Sequence, residues 1–140
     1  MPDVNRLTAM LALASVLAAC GAKEDAAPAL TPEERLAMAP SVDNGQRLFL
    51  ECAVCHERVE GAPHRVGPNL WGIVGAPSAH HEDFTYSAAM KRAELTWTPD
   101  NLDAYIANPG ALVPGNRMAY AGMKEPADRR DLIAYLETLH

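Results

Sequence analysis

Positive charge is in short supply in this 140-residue chain: 12 Lys and Arg stand against 18 Asp and Glu, a formal net charge of −6. A surface of that sign excludes nucleic acid as a partner, because binding to its phosphates rests on clustered Lys and Arg. Aromatic residues are few, 6% of the chain with two Phe and two Trp. One small core is therefore expected, and a large buried group would help complete it. No apolar run reaches the roughly 20 residues a helix needs to cross a bilayer; the run Leu7–Leu17 is too short. No alternating strand pattern occurs, which points to an all-α domain. Cysteines number three, and an odd count leaves one thiol to be explained.

What is present centres on Cys52-Ala53-Val54-Cys55-His56. Two thiols two residues apart, followed at once by an imidazole, read as an attachment site for c-type haem. The thiols add across the two vinyl groups of a porphyrin, and the next residue then lies under the ring, where its imidazole can ligate iron. The same CxxC also suits a thioredoxin-type redox site or half of a zinc site. Zinc would want a second ligand pair. No other CxxC exists, and His64, His80 and His81 show no regular pairing. A redox CxxC would sit in an alternating βα pattern, which the flanks lack.

The chain ahead of this motif divides in two. Residues 1–19 read as a signal peptide, with Arg6 as its positive start and Leu7–Leu17 as its apolar stretch. Leu17-Ala18-Ala19-Cys20 resembles a bacterial lipobox. That resemblance implies cleavage before Cys20 and lipid on its sulfur and amine, which accounts for the odd cysteine. Two or more acyl chains hold a protein stably on a membrane. Residues 20–42, rich in Ala, Pro and Glu, read as the lipidated N-terminus and a flexible tether. A short helix over Pro32–Met38, capped by Thr31, fits within it.

The domain is expected over residues 43–140. Asp43 or Asn44 can cap a helix running to about Cys55, in which Gly45, Leu48, Phe49 and Cys52 share one face. Residues 57–82 hold Gly and Pro throughout and read as loop. Within it, Gly67-Pro68-Asn69-Leu70-Trp71-Gly72 reads either as a simple turn or, because Pro68 fixes the backbone, as the source of a carbonyl for the other ring nitrogen of a ligating His56. A short helical stretch is expected over Ala88–Ala93. Thr98-Pro99-Asp100 starts a helix that Pro109 stops. A loop follows over 111–122, in which Met118 or Met123 could offer a thioether inward. A last helix over Pro126–Leu139 carries Leu132, Tyr135, Leu136 and Leu139 on one face. The expectation is three main helices, a minor one, and long loops around a flat cofactor.

The order of these motifs resembles class I cytochromes c, in the branch of mitochondrial cytochrome c and bacterial cytochrome c2. Gly45, Phe49, Cys52, Cys55 and His56 match its first helix and haem site. Gly67-Pro68-Asn69-Leu70 matches the proximal loop, and Phe84-Thr85-Tyr86 with Thr96-Trp97 the segments near the propionates. Tyr105 and Asn108-Pro109 match the distal helix, Pro114 to Met118 the axial-methionine loop, and Asp131 to Leu136 the last helix. The resemblance implies one covalent haem c, with Cys52 and Cys55 as thioethers and His56 and Met118 as axial ligands. It implies that the Pro68 carbonyl receives the His56 N–H, that Tyr86 and Trp97 meet a propionate, that Tyr105 lies beside the Met118 sulfur, and that Gly45 and Phe49 cross Leu132 and Tyr135. Ala76 stands where the family often has arginine, Met90 replaces a polar residue, and most lysines of the haem edge are missing.

The expected function is that of an electron carrier, not an enzyme, in the bacterial periplasm. It would be monomeric, tethered through a lipidated Cys20 or, with plain secretion and cleavage near Ala19, soluble in the periplasm, and exchange electrons with membrane respiratory or photosynthetic complexes. Two other uses of such a haem are an electron-entry subunit of a larger membrane oxidase or dehydrogenase, and a haem peroxidase-like enzyme. The latter needs an open iron position.

Overall fold

The computed structural model describes residues 29–140; the expected signal peptide over 1–19 and Cys20 lie outside the described residues. Six helical segments follow one another: α1 (Pro32–Ala37), α2 (Val42–Ala53), α3 (Ala88–Arg92), α4 (Pro99–Ala107), α5 (Pro109–Leu112) and α6 (Pro126–Leu136). Among the described residues the one β feature is an isolated antiparallel bridge between Pro77 and Thr96. The chain is all-α, with α2, α4 and α6 as the main helices and α3 as the minor one.

The frame is the crossing of α2 and α6. Gly45 makes it possible: a Cβ there would overlap the Asp131 carbonyl and stand 2.7 Å from Cβ of Tyr135. Close approach at this point outweighs the roughly 1 kcal/mol that glycine costs a helix. One turn on, Phe49 is fully buried and meets the Tyr135 ring edge-on, centroids 5.4 Å apart. The Arg58 guanidinium lies 5.1 Å from the Phe49 centroid, a distance at which a cation is drawn to the ring face.

Three boundaries differ from the sequence expectation. Helix α2 starts earlier, because Ser41, not Asp43 or Asn44, is the cap; its hydroxyl accepts from the Asn44 N–H. Pro109 stops α4 but also starts α5: Asn108 caps it by accepting from Ala111 N–H, and proline sits in the first turn, where its missing N–H costs nothing. Helix α6 ends at Leu136 rather than Leu139, although Leu139 stays buried and its carbonyl accepts from Gly72 N–H at 2.6 Å.

The described part of the 20–42 stretch is also more than a spacer from Thr31 onward. Helix α1 has a complete capping box between Thr31 and Glu34. It packs on α6, where Arg35 reaches Asp128 at 2.7 Å and Asp131 at 3.2 Å. Arg130 in turn donates to the Leu36 and Met38 carbonyls, and Ser41 N–H donates to Asp131 at 3.0 Å. Composition hides this, because the docking partners lie some ninety residues further along the chain.

Candidate functional site

The eight residues that the sequence assigns to the cofactor, Cys52, Cys55, His56, Pro68, Tyr86, Trp97, Tyr105 and Met118, all border one cavity of about 590 Å³. Helix α2 delivers Cys52 at its end. The turn that follows carries Cys55 and His56, whose N–H groups both donate to the Cys52 carbonyl. Leu102, Ile106, Leu132 and Leu136 supply apolar wall from α4 and α6.

His56 is held from two sides. Its Nδ1–H donates to the Pro68 carbonyl at 2.7 Å, which leaves the lone pair on Nε2. Gly67 lies against the ring: a Cβ at that position would stand 2.7 Å from Nδ1 and 2.8 Å from Nε2. Burial lowers the imidazole pKa, with the Pro68 bond opposing, so the ring is favoured in its neutral, metal-ligating form.

The thiols differ from a redox pair. Burial, then the charges at Glu51 and Cys55, push the Cys52 thiol up to about 11. A reactive CxxC needs a lowered value. Cys52 and Cys55 are both free thiols in the structure.

Tyr86 also lines the cavity, and its hydroxyl is buried without a hydrogen bond, which carries a desolvation cost. Trp97 is buried with its ring 4.9 Å from that of Tyr105, whose hydroxyl burial pushes up to about 12. The strand-like contact of 75–78 with 95–97 positions Trp97: its N–H donates to the Ala76 carbonyl at 2.8 Å. Met118 borders the cavity, its N–H held by Asn116 Oδ1 at 2.8 Å. Met123 is buried in the core and is not part of the cavity lining. These residues fit a haem joined through two sulfurs: an apolar slot, an unpartnered hydroxyl, and a glycine that makes room for an imidazole.

Two arrangements escaped the sequence reading. Asn69, buried in the proximal loop, donates through Nδ2 to the Val59 and Ala62 carbonyls and accepts from Trp71 N–H, which fastens the loop beneath His56. Beside it His64, His81 and Asp83 bring ligand atoms within 4.8 Å of one another. Metal binding does not follow. Asn69 N–H donates to His64 Nδ1, so Nε2 carries the proton and donates to Asp83. His81 Nε2 donates to the Asn69 carbonyl. The cluster is a hydrogen-bonded brace for the loop, and no regular spacing in the sequence signals it.

A family model described as cytochrome c matches residues 42–140. The chain is 44% identical over 115 residues to a cytochrome c homolog of Bradyrhizobium diazoefficiens, which covers 81% of this chain and 62% of that protein. It thus spans less than two thirds of that relative's length. It is 43% identical over 96 residues to cytochrome c2 of Rhodomicrobium vannielii, covering 69% of this chain and 77% of the other. Among solved structures, cytochrome cH from Methylobacterium extorquens superposes with a TM-score of 0.66 at 34% identity, over 70% of this chain and 98% of that one.

Proposed function

The chain belongs to the cytochrome c family, whose haem is bound covalently, and on that premise we propose that it is a membrane-tethered electron carrier of the bacterial periplasm with His56 and Met118 as axial ligands. Cys52 and Cys55 carry the thioethers. The haem supplies the one-electron chemistry, ferric to ferrous and back. The observation that carries the ligand assignment is the seat of His56 between Gly67 and the Pro68 carbonyl, with Met118 bordering the same cavity.

Each side chain has its part. Pro68 orients the imidazole and makes it a better ligand through the Nδ1–H bond. A thioether from Met118 favours the ferrous state and raises the potential. Were His56 and Met118 both to hold the iron, no position would be left open for peroxide, which separates this reading from a peroxidase. Tyr86 and Trp97 would hydrogen-bond a propionate. The apolar walls exclude water, which favours the less charged, reduced state.

Lipid on Cys20 holds the carrier to a membrane and raises its effective concentration near membrane-bound redox partners. The test is an optical spectrum and mass of protein exported alongside the haem-attachment machinery. The expected result is one covalent porphyrin, a far-red sulfur-to-iron band in the ferric form, and added acyl mass at the N-terminus. A colourless product of unmodified polypeptide mass would refute the reading.

A further inference from the structure

The loop that carries Met118 is held by few groups outside itself. Met118 N–H bonds Asn116 and Tyr120 N–H bonds the Met118 carbonyl, both within the loop. Arg117 donates to the Thr85 carbonyl just before Met118, and Met123 N–H reaches the Ile106 carbonyl at 2.9 Å. Across residues 118–122, one hydrogen bond among the described residues reaches a distant element. It runs from the Tyr120 hydroxyl to Glu51 Oε2 at 3.1 Å, over 69 residues of sequence. Glu51 directly precedes Cys52 on α2, and both Glu51 and Tyr120 line the cavity. Tyr120 is half-buried and Glu51 exposed, so the bond lies at the rim.

We propose that Glu51 and Tyr120 form a positioning pair, whose hydrogen bond ties the Met118 loop to the helix that bears the haem cysteines and sets how readily Met118 is drawn off iron. The proposal rests on the reading of Met118 as sixth ligand. The tyrosine ring supplies apolar cover at the rim, and its hydroxyl adds the fastening. An exposed bond of this kind competes with water, so its effect is modest. It matters because the far end of the loop is secured by Lys124, whose ammonium donates to both the Ala121 and the Ala107 carbonyls, whereas residues 118–120 have no other hydrogen bond to a distant element among the described residues.

The test uses the ferric holoprotein and imidazole as an added ligand. Loss of the sulfur-to-iron band reports displacement of Met118, and amide hydrogen exchange over 118–122 reports opening of the loop. Tyr120→Phe and Glu51→Ala should each speed imidazole binding and loop exchange about two- to tenfold. Glu51→Gln, whose amide oxygen still accepts, should stay near the parent rate. The double variant Tyr120→Phe with Glu51→Ala should be no faster than either single change, since both remove one interaction. Unchanged rates in Tyr120→Phe, or a double variant whose effect is the product of the two singles, would overturn the proposal. If the parent protein lacks the sulfur-to-iron band, the Met118 assignment fails, and hydrogen exchange in the same variants still decides whether the pair holds the loop.

Discussion

Gly67 and His56 are packed so closely that a single methyl group on the glycine would fall within 2.7 Å of the imidazole Nδ1. The ring cannot retreat without losing its bond to the Pro68 carbonyl. Gly67→Ala should therefore tilt the imidazole and cost about 1–3 kcal/mol, the usual penalty of overfilling a packed site. Denaturant unfolding of the holoprotein measures the loss. The ferric spectrum should show weakened axial ligation at the same time.

The two methionines near the C-terminal end of the domain separate cleanly. Met118→Ala should abolish the far-red band, lower the potential and open the iron to cyanide. Met123→Ala should keep the band and lose stability by about 2–5 kcal/mol, because it empties a core position. Spectra and melts of the two variants check both outcomes. A band that vanished with Met123 would move the sixth ligand there.

Asp131 ties stability to acidity. It is buried between α1, α2 and α6, and burial by itself would raise its pKa. Ser41 N–H, the Asn44 amide and Arg130 outweigh that effect and hold the carboxyl below its ordinary value of 3.8. The unfolded chain then takes up the proton first. The group's contribution is complete above pH 3.8 and is lost as pH falls through the lower folded value. Acid unfolding followed by circular dichroism should steepen below that pH, and Asp131→Asn should remove this part of the steepening. At neutral pH the same substitution should cost about 1–3 kcal/mol, because an amide cannot accept from Ser41, Asn44, Arg35 and Arg130 at once.

Cys20→Ser should move the protein from the membrane to the soluble periplasmic fraction while leaving its visible spectrum intact. Fractionation with haem staining checks this. Retention of the variant on the membrane would count against the lipid.

Much of this molecule could be read from its residues because local chemistry decided it. Thr98-Pro99-Asp100 starts α4 as a cap and first turn should, and Cys52 to His56 needs its spacing for the cofactor alone. What could not be read depends on residues far apart in sequence. Arg35 gives no sign by itself that it will find Asp128 and Asp131, and Tyr120 none that it will find Glu51. Ser41 does not stand out as a cap in the sequence, because its neighbours Asp43 and Asn44 suit that role equally well. Its hydroxyl and its N–H are both used there, the second by Asp131.

If Cys20 carries the proposed lipid, the docking of α1 would also limit how far the carrier can roam. Thr31 lies eleven residues beyond Cys20, whereas the start of α2 at Val42 lies twenty-two beyond. At up to about 3.5 Å per residue, the fastened helix would cut the longest excursion from the proposed acyl anchor from about 77 Å to about 38 Å. The volume swept shrinks about eightfold, and encounters with a neighbour in the same membrane become correspondingly more frequent. A shuttle that crosses the compartment would want the longer leash. With the proposed lipid on Cys20, this one would serve a station close at hand.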